Sequence, residues 1–177
     1  LPRDVIDREI GDIQVLGVEI RTGVRVGRDI SVARLREEFT CVVLSPGAPV
    51  SGRLGISGDD LKGVVGATEF LRDVNLGREV SVGRSAVVIG GGNTAIDAAR
   101  TARRLGARQV TILYRREKKD MPAWEHEIDA ALSEGIQLEV MTAPVSVEGR
   151  GGRVSRLCCQ RMRAGTFDPS GRRRPVP

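Results

Sequence analysis

The chain has 177 residues, with 40% hydrophobic and 29% charged residues, enough to bury an aliphatic core without help from metal or disulfide. Aromatic residues make up 3%, and no apolar run approaches the ~20 residues that would cross a bilayer, so no membrane partner is expected. The net charge of +5 is uneven: residues 148–177 carry net +6 and the remainder is near −1.

A basic tail can contact nucleic acid, but this one has only Phe167 to stack on a base, so no nucleic-acid partner is expected. Cys41, Cys158 and Cys159 form no C-x-x-C pair, which excludes a zinc or iron–sulfur site built from this chain alone. Their odd number argues against a secreted disulfide scaffold and for a reducing, cytoplasmic setting. The first residue is Leu1 and no signal peptide is visible, which reads as a piece of something longer.

In chain order, Pro2 opens a helix carried by Ile6, Ile10 and Ile13 and ended by Gly17. Val18–Thr22 reads as a short strand, and Gly23–Gly27 as a turn or second strand. Ser31 is placed to cap a small helix reaching Phe39, and Thr40–Leu44 is a β-rich run with Cys41 in its core. Residues 46–63 are a Gly- and Pro-rich loop, followed by a helix over Ala67–Leu76.

A second unit then opens. Ala86–Ile89 is continuously apolar, as in a strand covered on both faces. Asn93–Leu105 is an Ala-rich helix ended by Gly106, and Gln109–Tyr114 is the next strand. After a charged loop, Arg115–Asp120, a helix is expected from Pro122 to Glu134, then a strand over Gln137–Met141. Val145–Glu148 and Val154–Arg163 form an antiparallel pair, and the chain from Gly165 onward reads as loop. The alternation predicts an α/β fold: a Rossmann-like parallel sheet with flanking helices plus an antiparallel β-hairpin. Any ligand would sit at the carboxyl ends of the strands.

The run Gly90-Gly91-Gly92-Asn93-Thr94-Ala95 lies between a buried strand and a helix, the context a dinucleotide loop requires. Gly90 permits the sharp turn, Gly92 clears the backbone for a pyrophosphate, and Ala95 lets the helix lie close to the sheet. The first amides of that helix then face an anion. A tight strand-to-helix turn with no ligand is the plainer alternative.

The end of the second strand carries Tyr114-Arg115-Arg116, with Arg115 23 positions after Gly92. An NAD site places an acid there, whereas arginines suit a 2′-phosphate, so Arg115 and Arg116 favour NADP(H). One guanidinium could instead lie on the adenine, or both could be solvated. Glu117 complicates the choice. His126 and Trp124 read as surface and packing residues, and the arginines Arg172–Arg174 as solvated loop. No acid–base triad is present, and hydride transfer needs none.

Gly90–Asp97 followed by Ala98-Ala99-Arg100-Thr101-Ala102, with Tyr114-Arg115-Arg116, Met121-Pro122-Ala123 and Asp168–Arg174, resembles the NADPH domain of the glutamate synthase small-chain family. Leu1–Ile6 resembles a stretch of that family's flavin-binding part. The resemblance covers the whole chain and implies three parts: a partial FAD-domain segment over 1–47, a connecting loop and helix over 48–83, and an NADPH-binding Rossmann-like domain over 84–177. It also implies hydride transfer from NADPH to FAD, with electrons passing to an iron–sulfur or large catalytic subunit. Gly90, Gly92, Asn93, Thr94 and Ala95 would surround the pyrophosphate and Arg115 with Arg116 would hold the 2′-phosphate.

Departures from the family are that only one glycine fingerprint is present, and that Ser45-Pro46-Gly47-Ala48 stands where the family has Ala-Thr-Gly-Ala. The chain is therefore expected to be a fragment that binds NADP(H) and lacks a complete FAD site. A dinucleotide-binding module without redox chemistry is the alternative.

Overall fold

The computed structural model describes residues 2–177; Leu1, at the head of the Leu1–Ile6 stretch, lies outside the described residues. The chain divides into two compact units, residues 1–46 and 47–177.

In the first unit, α1 spans Arg3–Val15 and α2 spans Val32–Glu38. Ser31 caps α2 as its sequence predicts, accepting from the Arg34 amide at 3.1 Å. The expected strands at Val18–Thr22 and Thr40–Leu44 do not form, and Cys41 is exposed rather than in a core. Extended chain becomes a strand only where another strand takes its backbone groups. Among the described residues neither run has such a partner. Neither helix of this unit holds a buried residue, and the apolar row Ile6, Ile10 and Ile13 is bare.

In the second unit, α3 spans Ala67–Asn75, β1 Ser85–Ile89, α4 Asn93–Arg104 and β2 Gln109–Leu113. After one 3-10 turn at Lys118–Asp120 come α5 over Glu125–Ser133 and β3 over Gln137–Glu139. The sheet is parallel with order β1-β2-β3, in register Val88 to Ile112 to Leu138.

Alternation along the strands sets the core. Ala86, Val88, Val110, Ile112, Tyr114 and Leu138 pack with Phe70 of α3, Ile96, Ala99 and Ala102 of α4, and Ile128 and Ala131 of α5. The alanines let α4 lie close: Ala99 has no exposed surface. Both α4 and α5 end in the same motif. The Gly106 amide bonds Arg103 O and the Ala107 amide bonds Ala102 O, while Gly135 and Ile136 do the same with Leu132 and Ala131.

The opposite face of the sheet carries Val87, Gln109, Thr111 and Gln137, and Val87 is 48% exposed. On that face only the start of β1 is open; toward its carboxyl end Ile89 is half-buried and its neighbour Leu113 is buried.

Two hairpins complete the unit. β4, Thr142–Arg150, pairs antiparallel with β5, Arg153–Arg161. The loop at 57–62 lies along them through Val147 N to Ser57 O and Val154 N to Lys62 O. β6, Arg163–Phe167, pairs with β7, Arg173–Val176, in the region the sequence presents as loop. Its turn is built by Asp168, and the Arg173 guanidinium stands 4.9 Å over the Phe167 ring. No described helix is long and apolar enough to cross a membrane.

The unequal cover of the two faces has an energetic signature. Ile112→Ala should cost about 2–5 kcal/mol in urea unfolding, while Val87→Ala, at the open start of β1, should cost under about 1 kcal/mol. Equal losses would mean that both faces are packed.

Candidate functional site

The carboxyl ends of β1 and β2 meet the head of α4. The ladder runs one residue past β1, because the Gly90 amide donates to Leu113 O at 3.0 Å. The chain then turns sharply at Gly90, whose φ of 139° an L side chain rarely adopts. Its missing Cβ would stand 3.4 Å from that of Ala95, so the two small residues let strand and helix touch.

Gly91 has a different task. A Cβ there would fall 2.6 Å from the Tyr114 ring, so the loop closes over that ring only because Gly91 has no side chain. Gly92 faces open space, with only Pro122 Cγ as near as 4.0 Å.

Gly92 is the N-cap of α4 and provides no side-chain cap. Among the described residues no acceptor meets the amides of Gly92, Asn93 and Thr94. The helix therefore presents unpaired N–H groups and the positive end of its dipole to the outside.

The mouth is braced by a segment whose local pattern predicts helix. Ala123 N donates to Gly91 O at 3.0 Å, and Trp124 N donates to Asn93 Oδ1 at 3.1 Å. These two bonds tie the Ala123 and Trp124 backbone to the loop, and α5 begins only at Glu125. The Trp124 ring is 66% exposed beside the mouth rather than packed. His126 lies on the surface, as expected. Behind the loop, Arg100 and Arg104 of α4 bond Glu134, and Arg100 also bonds Glu127. Burial works to raise the Glu134 carboxyl, but the bonds from Arg104 and Arg100 outweigh it and hold it below its ordinary value.

The structure separates the two arginines that the sequence groups together. Arg115 is exposed at the end of β2, with no carboxylate partner among the described residues. Arg116 is 8% exposed and turns inward, and its Nη2 bonds Asp168 Oδ2 at 2.7 Å. It cannot serve as the second tine of an exposed fork with Arg115, because its guanidinium is committed to the β6–β7 turn.

Asp168 also accepts from Ser170 Oγ, Ser170 N and Arg172 N. Sequence alone offers Asp168-Pro169-Ser170-Gly171 as a turn, but the arginine 52 positions away that its carboxylate meets is not legible there.

The comparisons agree with this architecture. The model of the family described as pyridine nucleotide-disulphide oxidoreductase matches residues 8–166. The chain belongs to the pyridine nucleotide-disulphide oxidoreductase family. Within that family, it is 43% identical to the NADPH-Fe(3+) oxidoreductase subunit beta of Geobacter sulfurreducens (strain DL-1 / KN400), over 99% of this chain and 27% of the relative. It is 39% identical to the glutamate synthase [NADPH] small chain of Halomonas elongata, over 99% of this chain and 39% of that one. The resemblance read from the motifs is thus borne out, and the chain spans well under half the length of these relatives. The solved structure of Mycobacterium tuberculosis FprA in complex with NADPH shares the fold. Its TM-score is 0.70 at 22% identity, over 86% of this chain and 49% of that one.

The Asp168 carboxyl is held well below the usual carboxylate range. The Ser170 hydroxyl contributes most; burial opposes it, and the Arg172 and Ser170 amides and Arg116 add to it. A depressed carboxyl contributes stability that is complete above its unfolded pKa and lost as pH falls through the folded one. Wild type should therefore exceed Asp168→Asn in stability by a constant margin above pH ~5, and the margin should shrink below about pH 4. Denaturant unfolding across that range measures it.

Proposed function

We propose that this chain is the NADPH-binding portion of a flavoprotein oxidoreductase that takes a hydride from NADPH, delivers it to FAD and sends electrons on to a further acceptor. Residues 48–83 are read as the connecting loop and helix, and residues 84–177 as the NADPH domain. The observation that carries the reading is the uncapped head of α4: free amides at Gly92, Asn93 and Thr94, no side chain at Gly92, and Arg115 exposed at the end of the neighbouring strand.

These residues suit a dinucleotide. The amides of Gly92, Asn93 and Thr94 would bond the pyrophosphate, with the helix dipole favouring its charge. Gly90 and Ala95 hold α4 against the sheet so that those amides converge. Gly91 lets Tyr114 seat beneath the loop, and Asn93 anchors the Trp124 backbone. Arg115 would meet the 2′-phosphate, and Arg116 supports that end of β2 from beneath. Bound NADPH would supply the hydride; the residues of this chain bind and orient it.

Residues 1–47 are read as a segment of the FAD domain. Among the described residues no second strand–glycine loop–helix unit stands ready for the FAD pyrophosphate. The bare apolar residues of α1 suit a segment that packs against further parts of such a domain. The relatives' names support further subunits as partners, and an iron–sulfur or large catalytic subunit is the acceptor the reading favours. Free cysteines at Cys41, Cys158 and Cys159 favour a cytoplasmic setting.

Calorimetric titration of the chain with NADP and NAD tests the site. Arg115→Ala should weaken NADP by about 10- to 100-fold, the size of a lost hydrogen bond to a charged group, and leave NAD nearly unchanged. Equal loss for both cofactors would remove Arg115 from the 2′-phosphate.

A further inference from the structure

Tyr114 follows β2 directly, and its backbone is fixed on both sides. Its amide donates to Glu139 O at 2.9 Å, and its carbonyl accepts from the Thr142 amide at 3.1 Å. The side chain is 8% exposed and belongs to the same core cluster as Ile96, Met121 and Ala123. The ring lies beneath Gly91, where a Cβ would stand 2.6 Å from it. The hydroxyl donates to Asp120 O at 2.7 Å. A buried phenol needs such a partner, whereas a phenylalanine ring would fill the same space without one. The hydroxyl therefore adds to that packing a bond to the carbonyl that ends the loop Arg115–Asp120.

At Asp120 that loop turns back toward the head of α4. The Asp120 amide donates to Glu117 O and the Met121 amide to Lys118 O, each at 3.0 Å, which closes the 3-10 turn. Three residues after Asp120, the Ala123 amide bonds Gly91 O, and the Trp124 amide bonds Asn93 Oδ1. The bonds form a closed circuit. It runs from the Tyr114 ring to Gly91, from Gly91 O to Ala123, along the chain to Asp120, and from Asp120 O to the Tyr114 hydroxyl. Gly91 and Asn93, the two residues that flank Gly92, are both tied to the segment 120–124.

We infer that the Tyr114 hydroxyl pins the segment 120–124 against the head of α4 and so positions the Gly92, Asn93 and Thr94 amides for a pyrophosphate. The inference rests on the NADPH reading above and adds a positioning residue to it. Tyr114 itself does not meet the ligand, because its ring is buried and its proton is committed to Asp120. The physical ground is preorganisation: without the pin, the segment must be ordered at each binding event, and affinity falls by that cost. The pyrophosphate is common to NADP and NAD, so both lose alike. Arg115 lies between Tyr114 and Arg116, whose backbones are bonded to Glu139, Thr142 and Met141, so the hydroxyl does not set the position of Arg115.

Tyr114→Phe keeps the ring and removes the hydroxyl. In calorimetric titration of the 177-residue chain it should weaken NADP and NAD by the same factor, roughly three- to tenfold, the size of one hydrogen bond. Trp124 is the only tryptophan of the sequence, and its amide belongs to the pinned segment. Its fluorescence anisotropy should fall in the free variant and return to the wild-type value at saturating NADP. In the wild-type chain, either dinucleotide should slow hydrogen exchange at the Ala123 and Trp124 amides. Three results each overturn the pin: unchanged affinity for both dinucleotides in Tyr114→Phe, a loss confined to NADP, or wild-type exchange that neither dinucleotide slows. Any of them leaves the NADPH reading standing while Arg115→Ala still weakens NADP alone. Wild-type chain that binds neither dinucleotide overturns both.

Discussion

Among the described residues, three backbone amides at the head of α4 have no acceptor. A helix always leaves its first N–H groups without intrahelical partners, and most helices answer with a capping side chain. Here the cap is Gly92, which has none and faces open space, while Gly90 and Gly91 let the loop close on Ala95 and Tyr114. Much of the second unit serves this arrangement. Alanines at 95, 99 and 102 bring α4 down on the sheet, and Gly91 sits over Tyr114. Backbone bonds from Ala123 and Trp124 stiffen the loop from the other side. The result is a helix head whose free amides are held in place by the fold, an arrangement that suits an anion at low ordering cost.

The paired arginines illustrate how burial separates residues that look equivalent in sequence. Arg115 remains in solvent, where a long cation can meet a ligand. Arg116 gives up its hydration for Asp168, and removing Asp168 would leave a buried guanidinium without its carboxylate. One residue faces solvent and the other ties the end of β2 to the β6–β7 turn.

Local signals made most of the second unit legible. The apolar periodicity of α4, the glycines after α4 and α5, and the run of β2 each specify their element within a few residues. So does Ser31 at the head of α2. What escaped the sequence depends on partners far along the chain. Arg163–Phe167 and Arg173–Val176 alternate poorly and include Pro175, so nothing local marks them as strands; their pairing follows from the Asp168 turn. The segment before α5 is tied to Gly91 and Asn93, some 30 residues earlier, which no local signal shows. Val87 reads as core because its neighbours are apolar, yet it is 48% exposed. Val18–Thr22 and Thr40–Leu44 have β-forming composition but no strand to pair with among the described residues. For the candidate site, the glycine loop was visible in full, and the division of labour between Arg115 and Arg116 was not.

Membership of the pyridine nucleotide-disulphide oxidoreductase family and the open helix mouth lead to one physical claim: the α4 amides are the pyrophosphate site. Amide-resolved NMR during titration with NADP addresses those groups one by one. The account predicts that the largest shifts fall on the Gly92, Asn93 and Thr94 N–H signals and saturate together with those at Arg115. Saturable binding whose shifts cluster elsewhere, with these three amides unmoved, would contradict it.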